Sequence, residues 1–192
     1  MLEKLLAEIR QCRLCEPQLP LGANPIIQAH EKARILIIGQ APGTKVHTTA
    51  IPWNDASGDR LRSWLQIDKD VFYDATKIAI MPMGLCYPGK GRCGDLPPRK
   101  ECAPQWHQQV LDQLPNIKTT LLIGQYAQHY YLKQKPKSLT ETVQSWQQWA
   151  PQCIPIPHPS PRNTLWLKRN PWFEQQVVPY IRRYLHSQLS IK

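Results

Sequence analysis

The stretch Arg34 to Gly43, RILIIGQAPG, decides the fold of this chain. Its four consecutive aliphatic residues, Ile35 to Ile38, show no polar alternation, which is typical of a strand covered on both faces in a parallel sheet. The run then stops in a turn that contains glycine and proline, Gly39 to Gly43. Because ligands of open α/β sheets bind outside the carboxyl ends of the strands, this turn is the first place to expect a functional site.

Three further apolar stretches predict strands, at Lys77 to Met83, Thr119 to Ile123 and Cys153 to Pro157. Helical patterns separate them, at the start of the chain and at about residues 57–65, 100–114, 126–132, 140–149 and 171–189. We expect Thr44 to Asp55 to form a polar loop and Ser57 to cap the helix that follows. Strands that alternate with helices predict an α/β fold, a three-layer α/β/α sandwich with a central four-stranded parallel sheet.

Length and composition limit the class of protein. The 192 residues suit one domain, spanning 1–192. Lys and Arg total 24 against 14 Asp and Glu, a formal charge of +10 that favours an acidic partner such as nucleic acid. No stretch is long and apolar enough to span a membrane, and the charged amino terminus lacks the core of a signal peptide. We therefore expect a cytoplasmic monomer whose six cysteines are thiols, metal ligands or cluster ligands rather than disulfides.

A second loop, HPSPRN at residues 158–163, leaves the last predicted strand. Pro159 and Pro161 fix φ on either side of Ser160. The first loop fits neither a phosphate-binding Walker loop, because Thr44 and Lys45 follow Gly43 in reversed order, nor a dinucleotide fingerprint. Two rigid strand-end loops with polar side chains predict a preorganised site at the sheet edge.

These motifs carry a resemblance to a known family. The GQAPG loop, the Pro52-Trp53 pair and the His158-Pro159-Ser160 loop resemble the signature motifs of the uracil-DNA glycosylase superfamily, and the strand order agrees over nearly the whole chain. The resemblance implies a monofunctional DNA glycosylase, in which water hydrolyses the N-glycosidic bond of a flipped uracil or other deaminated base.

The resemblance also implies a role for each site residue. His158 would donate a hydrogen bond to the departing base, and the loop containing Gln40 would position the attacking water. Trp53 would stack on the flipped base. The substrate-binding residues implied in this way are Gly39, Ala41, Pro42, Gly43, Trp53, Pro159, Ser160, Arg162 and Asn163.

Two positions depart from the family pattern. Gln40 stands where the iron-sulfur branch of the superfamily has a Glu, and Gln cannot take a proton from water at neutral pH. Asp55 or Asp59 could substitute, although both suit a helix start. Pro82 stands where the family has an Asn that reads the base edge. A catalytically weak or inactive iron-sulfur nucleic-acid binding protein of the same fold, or a small-molecule hydrolase, therefore stays an alternative.

The cysteine spacing resembles that of the iron-sulfur branch. Cys12 and Cys15 form a C-x2-C motif, and Cys86 and Cys102 form a C-x15-C motif. The resemblance implies that these four thiolates hold a [4Fe-4S] cluster. Zinc also accepts four thiolates, and unligated thiols are the third possibility. Cys93 and Cys153 lie outside the pattern, and we expect both to be ordinary small residues.

Basic residues beside both motifs predict a DNA-binding surface. Lys90, Arg92, Arg99 and Lys100 lie within or beside the cysteine-bounded loop, and Arg162, Lys168 and Arg169 accompany the histidine loop. Such side chains would neutralise phosphates on either side of an extruded nucleotide. Leu165 or Trp166 stands where related enzymes insert an apolar wedge into the duplex.

Overall fold

A four-stranded parallel sheet forms the centre of the molecule in a computed structural model, which describes residues 1–92 and 94–191. The sheet order is β2-β1-β5-β6, and a separate two-stranded antiparallel pair, β3-β4, lies in the cysteine-bounded loop. The strands are β1 (Ile35–Ile38), β2 (Ile78–Ile80), β3 (Lys90–Gly91), β4 (Gly94–Asp95), β5 (Thr119–Ile123) and β6 (Cys153–Ile156). The prediction of a four-stranded parallel sheet is confirmed; Cys93 lies outside the described residues.

Helices surround the sheet. The α-helices of the described residues are α1 (Leu2–Arg10), α2 (Thr44–Thr49), α3 (Ala56–Leu65), α4 (Lys69–Phe72), α5 (Cys102–Leu111), α6 (Gln125–Tyr131), α7 (Leu139–Gln144), α8 (Thr164–Arg169) and α9 (Val178–Leu189). Short 3-10 turns lie at Glu16–Gln18, Trp146–Gln148 and Pro161–Asn163, and a π-helical turn at Phe173–Val177 leads into α9. None of the helices within residues 1–92 and 94–191 has the length and apolar character that crossing a membrane requires.

The core has two halves, one on each face of the sheet. Ile35 and Ile37 of β1 pack with residues of α3 and α9, whereas Leu36 and Ile38 pack with residues of α1 and α5. All four β1 side chains are fully buried. The unbroken apolar run of β1 therefore reflects burial on both faces, since successive side chains of a strand point in opposite directions.

Two local predictions were wrong. The expected polar loop at Thr44 to Asp55 contains helix α2, which buries Val46 and begins directly after Gly43. The cap of α3 is Asp55 rather than Ser57: its side chain accepts a hydrogen bond from the Gly58 N–H at 2.8 Å. The propensities of Thr and His do not favour a helix at α2, so the helix depends on its tertiary surroundings, against which Val46 is buried.

Backbone hydrogen bonds join the loops that leave the strands. The Met83 N–H donates to the Gly39 carbonyl at 2.9 Å, and the Gly84 N–H donates to the Gln40 carbonyl at 3.0 Å. On the other side of β1, the Gly124 N–H donates to the Ile156 carbonyl at 3.0 Å. The carboxyl edge of the sheet is thereby a continuous, rigid platform.

Candidate active site and cysteine pocket

A cavity of about 600 Å³ opens at the carboxyl edge of the sheet. The segments after all four strands of the sheet contribute to its wall: Gly39 to Gly43 after β1, Pro82 after β2, Gln125 after β5 and His158 after β6. The structure thus brings together the two loops that the sequence pairs.

Most predicted site residues line this cavity. They are Gly39, Gln40, Ala41, Pro42, Gly43, Trp53, His158, Ser160, Arg162 and Asn163. Pro159 is not part of the lining and is buried behind it. Sequence reasoning missed Asp95 and Gln125 as wall residues. Gln125 follows the glycine that ends a predicted strand, so the strand-end rule could have identified it, whereas nothing in the pattern around Asp95 places it here.

Hydrogen bonds hold the imidazole of His158 in one tautomer. The Ser160 N–H donates to Nδ1 at 3.2 Å, so Nδ1 is the acceptor and Nε2 carries the proton of the neutral ring. Burial lowers the pKa of His158, against the opposing effect of the Asp55 charge. Arg60 of α3 holds the loop by donating to the Ser160 carbonyl at 3.0 Å, and the Asn163 amide donates to the His158 carbonyl at 2.8 Å.

Trp53 stands next to His158 in a constrained conformation. The two ring centroids are 5.6 Å apart, and the planes differ by 33°. Trp53 has φ of +56°, in the left-handed region that costs a non-glycine residue about 1–2 kcal/mol. Close packing maintains it: a Cβ on Gly39 would lie 2.7 Å from Cζ2 of the indole, and a Cβ on Gly58 would overlap the Trp53 carbonyl oxygen. Arg62 donates to that oxygen at 3.2 Å.

The Gln40 side chain is oriented by the cysteine-bounded loop. Its Nε2 donates to the Leu96 carbonyl at 3.3 Å. With the amide fixed in this way, Oε1 is the atom available to accept a hydrogen bond from a ligand or water in the cavity. The amide can orient water, but it has no capacity to remove a proton from it.

The structure separates the two carboxylates, Asp55 and Asp59, that the sequence analysis names as candidate proton acceptors. Asp59 is bonded to Arg62 at 2.6 Å and is not part of the cavity wall. Asp55 is in the wall, and its cap bond uses only Oδ1. A Cβ on Gly43 would lie 4.0 Å from Oδ2 of Asp55 and 3.6 Å from Oδ2 of Asp95, so two carboxylates flank this glycine. Burial raises the pKa of Asp95, while Arg162 and Lys90 act in the opposite direction.

A comparison with protein families matches residues 27–182 to the family described as the uracil DNA glycosylase superfamily. The match covers most of the 192 residues and includes both cavity loops. The chain belongs to the uracil DNA glycosylase superfamily. Membership supports a DNA glycosylase-like function and DNA as the partner, in agreement with the positive charge of the chain.

A buried histidine holds the backbone at Pro82. Pro82 lines the cavity, and its carbonyl accepts from Nε2 of His107 at 3.1 Å. Nδ1 of His107 therefore accepts from the Tyr131 hydroxyl at 2.6 Å. Burial lowers the pKa of His107 to about 4, so the ring is neutral at pH 7. Neither the Pro82 side chain nor its engaged carbonyl resembles the amide of an Asn.

The four cysteines of the C-x2-C and C-x15-C motifs line one small pocket: Cys12, Cys15, Cys86 and Cys102. Burial raises the pKa of the Cys86 thiol to about 11 and that of Cys102 to about 12, and the charges of the neighbouring cysteines add to both shifts. Cys153 is a separate free thiol outside this pocket.

The chemistry of this pocket fits a thiolate-bound cofactor. Arg99 lines it and opposes the burial that raises the pKa of Cys15, while the buried Arg99 Nε has no hydrogen-bond partner. Within residues 1–92 and 94–191, however, no group of three or more His, Cys, Asp or Glu side chains is arranged to hold a metal ion. The pocket therefore supplies the right donors without the closed geometry of a ligand cage.

The two candidate wedge residues have different surroundings. Trp166 is half-buried: its Nε1 donates to the Thr140 hydroxyl at 2.9 Å, and its ring contacts Trp172 and Phe173. Leu165 is 66% exposed, so its side chain is accessible to a partner. Of the two side chains, that of Trp166 belongs to a packed aromatic cluster and that of Leu165 faces solvent.

Proposed function

We propose that this protein is a monofunctional DNA glycosylase that hydrolyses the N-glycosidic bond of a flipped, deaminated base. The observation that carries the proposal is the orientation of His158, whose Nδ1 is occupied by the Ser160 N–H and whose Nε2–H is therefore the donor. A fixed neutral donor suits an acceptor oxygen on which negative charge develops.

Base release separates charge in a way that this cavity can stabilise. The bond between C1′ of the sugar and the base nitrogen breaks, and both electrons pass to the base. The Nε2–H of His158 then bonds the oxygen of the departing anion, while Trp53 provides an aromatic face for the base. The positive charge that develops on the sugar is compensated by carboxylates near Gly43.

The attacking water is assigned to the part of the cavity that Gln40 and Asp55 line. Oε1 of Gln40 accepts a hydrogen bond from the water and orients it, and Oδ2 of Asp55 takes its proton as the oxygen bonds to C1′. Asp55 thus acts as the carboxylate that Gln40 cannot provide. The proton passes to solvent or to the released base, and no lysine-linked intermediate is involved.

We expect modest discrimination among bases. Pro82 has no side-chain donor or acceptor, and losing a bidentate base reader removes about 1–3 kcal/mol of discrimination. Uracil is therefore one of several deaminated bases that the cavity accepts, together with hypoxanthine and xanthine.

A substrate panel with matched variants tests the proposal. Labelled single strands and duplexes that contain uracil, hypoxanthine or xanthine are incubated with wild-type protein and with His158→Ala, and abasic product is measured in single turnover. We expect the substitution to lower the rate of base release by about 100- to 1000-fold, as for loss of one oxyanion donor. A rate unchanged in His158→Ala would remove the role given to this residue.

The second candidate is a nucleic-acid binding protein that keeps the fold without turnover. Gln40 in place of the usual Glu favours it, since an amide cannot act as a base. Binding of the three modified strands with no abasic product from any of them would select this alternative.

We further propose a [4Fe-4S] cluster on Cys12, Cys15, Cys86 and Cys102, with zinc as the alternative. Such a cluster would tie both ends of the 86–102 loop, which positions the Leu96 carbonyl against Gln40. Its role is structural, and binding requires the four thiols to lose their protons.

Metal analysis of anaerobically purified protein tests this assignment. We expect about four irons per chain and broad visible absorption, both lost in Cys86→Ser and retained in the control Cys153→Ser. One zinc per chain in colourless protein would replace the cluster, and neither metal would indicate unligated thiols.

A further inference from the structure

The cavity at the carboxyl edge of the sheet, which contains Gln40, Trp53 and His158, is called the base cavity. A second cavity of about 600 Å³ lies beside it. The loop after Pro97, the beginning of α6 and the segment from Lys135 to Leu139 form its walls. We call it the basic groove and define it by Arg99, Lys100, Tyr126, Tyr130, Lys135 and Lys137. Nothing in the proposed hydrolysis uses these residues.

Positive charge in the basic groove has little compensation from the protein. No Asp or Glu is among its lining residues. Arg99 pairs with Glu101 at 2.6 Å, whereas the ion pairs formed among residues 1–92 and 94–191 include neither Lys100, Lys135 nor Lys137. Lys135 donates to the Pro136 carbonyl at 3.1 Å, which leaves its charge unneutralised. Such a concentration of ammonium groups attracts a polyanion.

The groove also presents aromatic side chains. Tyr126 and Tyr130 both line it, and Tyr130 is 45% exposed although its ring is large and mostly apolar. Edge contacts with His107 at 6.0 Å and Tyr131 at 5.0 Å between ring centroids keep the Tyr130 ring in place. Aromatic rings interleaved with lysines are what a single strand requires, because bases stack on the rings while phosphates bind the cations.

The position of Gln125 connects the groove with the base cavity. This residue follows β5 at the carboxyl edge of the sheet and contributes to the walls of both cavities. A strand with one nucleotide in the base cavity can therefore continue past Gln125 into the groove. The volume of the groove matches an ordinary ligand pocket of about 300–1,000 Å³, which suits a few nucleotides and not a double helix.

We propose that the basic groove binds an unpaired segment of the DNA strand next to the nucleotide that enters the base cavity. Lys135 and Lys137 bind successive phosphates, and Tyr130 stacks on a base. The assignment rests on the proposed function of the base cavity, and it makes single-stranded DNA, or a duplex opened beside the lesion, the favoured substrate.

Equilibrium binding of a lesion-free, fluorescently labelled single strand tests the groove without requiring turnover. The test variant is Lys135→Gln/Lys137→Gln. The control is Lys69→Gln/Lys118→Gln, which removes the same charge from the start of α4 and from the residue before β5, neither of which lines the groove. We expect the groove variant to reduce the slope of log K against log salt by about 1.4, that is, about 0.7 for each phosphate that is no longer neutralised. The control should keep the wild-type slope, apart from the small effect of net charge.

Tyr130→Ala provides a second, uncharged readout. Loss of one stacked base should weaken single-strand binding about 5- to 150-fold with little change in the salt slope. Equal affinity and slope for wild type and both groove variants would overturn the proposal. Equal weakening for a mononucleotide and for the strand would overturn the strand assignment, because a strand site gains affinity from consecutive phosphates.

The outcome separates the groove from the catalytic proposal. A protein that releases no base can still show the groove effect in this assay, because the assay measures binding and not turnover. Conversely, the groove variants of an active glycosylase could bind and turn over single strands like wild type. That result would support the proposed function and overturn the strand-binding role of the groove.

Discussion

His158 and Asp55 divide the proposed chemistry between them at the scale of single residues. The Ser160 N–H fixes the His158 proton on Nε2, and burial keeps the ring neutral at pH 7. Asp55 commits Oδ1 to the cap of α3 and leaves Oδ2 beside Gly43. One carboxylate can therefore cap a helix and accept a proton, because the two functions use different oxygens.

Asp55→Asn tests this division. Asn caps a helix about as well as Asp, so the fold should be kept while the proton acceptor is removed. We expect the single-turnover rate of base release to fall by about 100-fold or more, with the melting temperature nearly unchanged. In the control Asp59→Asn, the rate should stay near that of wild type, although loss of the Arg62 ion pair lowers stability. A rate equal to wild type in Asp55→Asn would exclude Asp55 as the base.

The pH dependence of base release tests the neutral state of His158. Burial lowers its pKa below the ordinary value of 6.5. The ring is thus mainly neutral at pH 6.5 and above. It becomes protonated only at lower pH, where Nδ1 can no longer accept from the Ser160 N–H. We expect a flat rate above pH 7 and a decline on the acidic side below 6.5. In His158→Asn, the remaining rate of base release should lack this acidic decline and depend on pH only through the titration of carboxylates. A decline with the same midpoint in this variant would assign the decline to another group.

At the scale of elements, buried polar contacts join α5 to the strand ends. His107 of α5 is 1% exposed, donates to the Pro82 carbonyl and accepts from Tyr131 of α6. Both ring nitrogens are used only when the ring is neutral, which agrees with the lowered pKa of about 4. The backbone at Pro82, which lines the cavity, is therefore held by a histidine that is not part of the cavity lining.

His107 predicts a loss of stability in acid. In the unfolded chain its pKa returns to 6.5, so the unfolded state binds more protons between pH 6.5 and about 4. The contribution of His107 to the free energy of unfolding is fully present above pH 6.5 and is lost as the pH falls toward 4. The loss amounts to about 3 kcal/mol at most, since each pKa unit corresponds to about 1.4 kcal/mol. Urea unfolding from pH 7.5 to 4.5 measures the decline.

The matched variants for this measurement are His107→Gln and His129→Gln. Gln can still bond the Pro82 carbonyl but does not titrate, so we expect a smaller decline with pH in His107→Gln. His129 is exposed, and its substitution should leave the decline as in wild type. The same decline in His107→Gln would show that other groups cause it.

The whole molecule carries a formal charge of +10, and the carboxyl edge of the sheet carries both cavities. We expect affinity for duplex DNA to fall linearly in a plot of log K against log salt. The variant Lys168→Gln/Arg169→Gln, at the end of α8, should reduce the slope by about 0.9 for each phosphate that the variant no longer neutralises. Titrations between 50 and 200 mM salt measure it, and a salt-independent affinity would contradict a phosphate-binding surface.

The sequence by itself determined the parallel sheet and the pairing of its two functional loops. Strands such as Ile35 to Ile38 can be recognised because burial on both faces removes every polar residue from the run. The loops follow, since the carboxyl ends of parallel strands meet at one edge. Motifs with fixed spacing around Gln40 and His158 then identified the superfamily to which the chain belongs.

Only the tertiary structure decided which polar groups meet. In the structure, Asp55 and not Asp59 lines the cavity, and Asp95 lies beside Gly43. The segment α2 is helical, and Gln125 lies between the two cavities. None of these follows from periodicity, because each depends on packing between segments far apart in the chain. Periodicity reports which side of an element is buried, whereas a site depends on the atoms that face one another across a cavity.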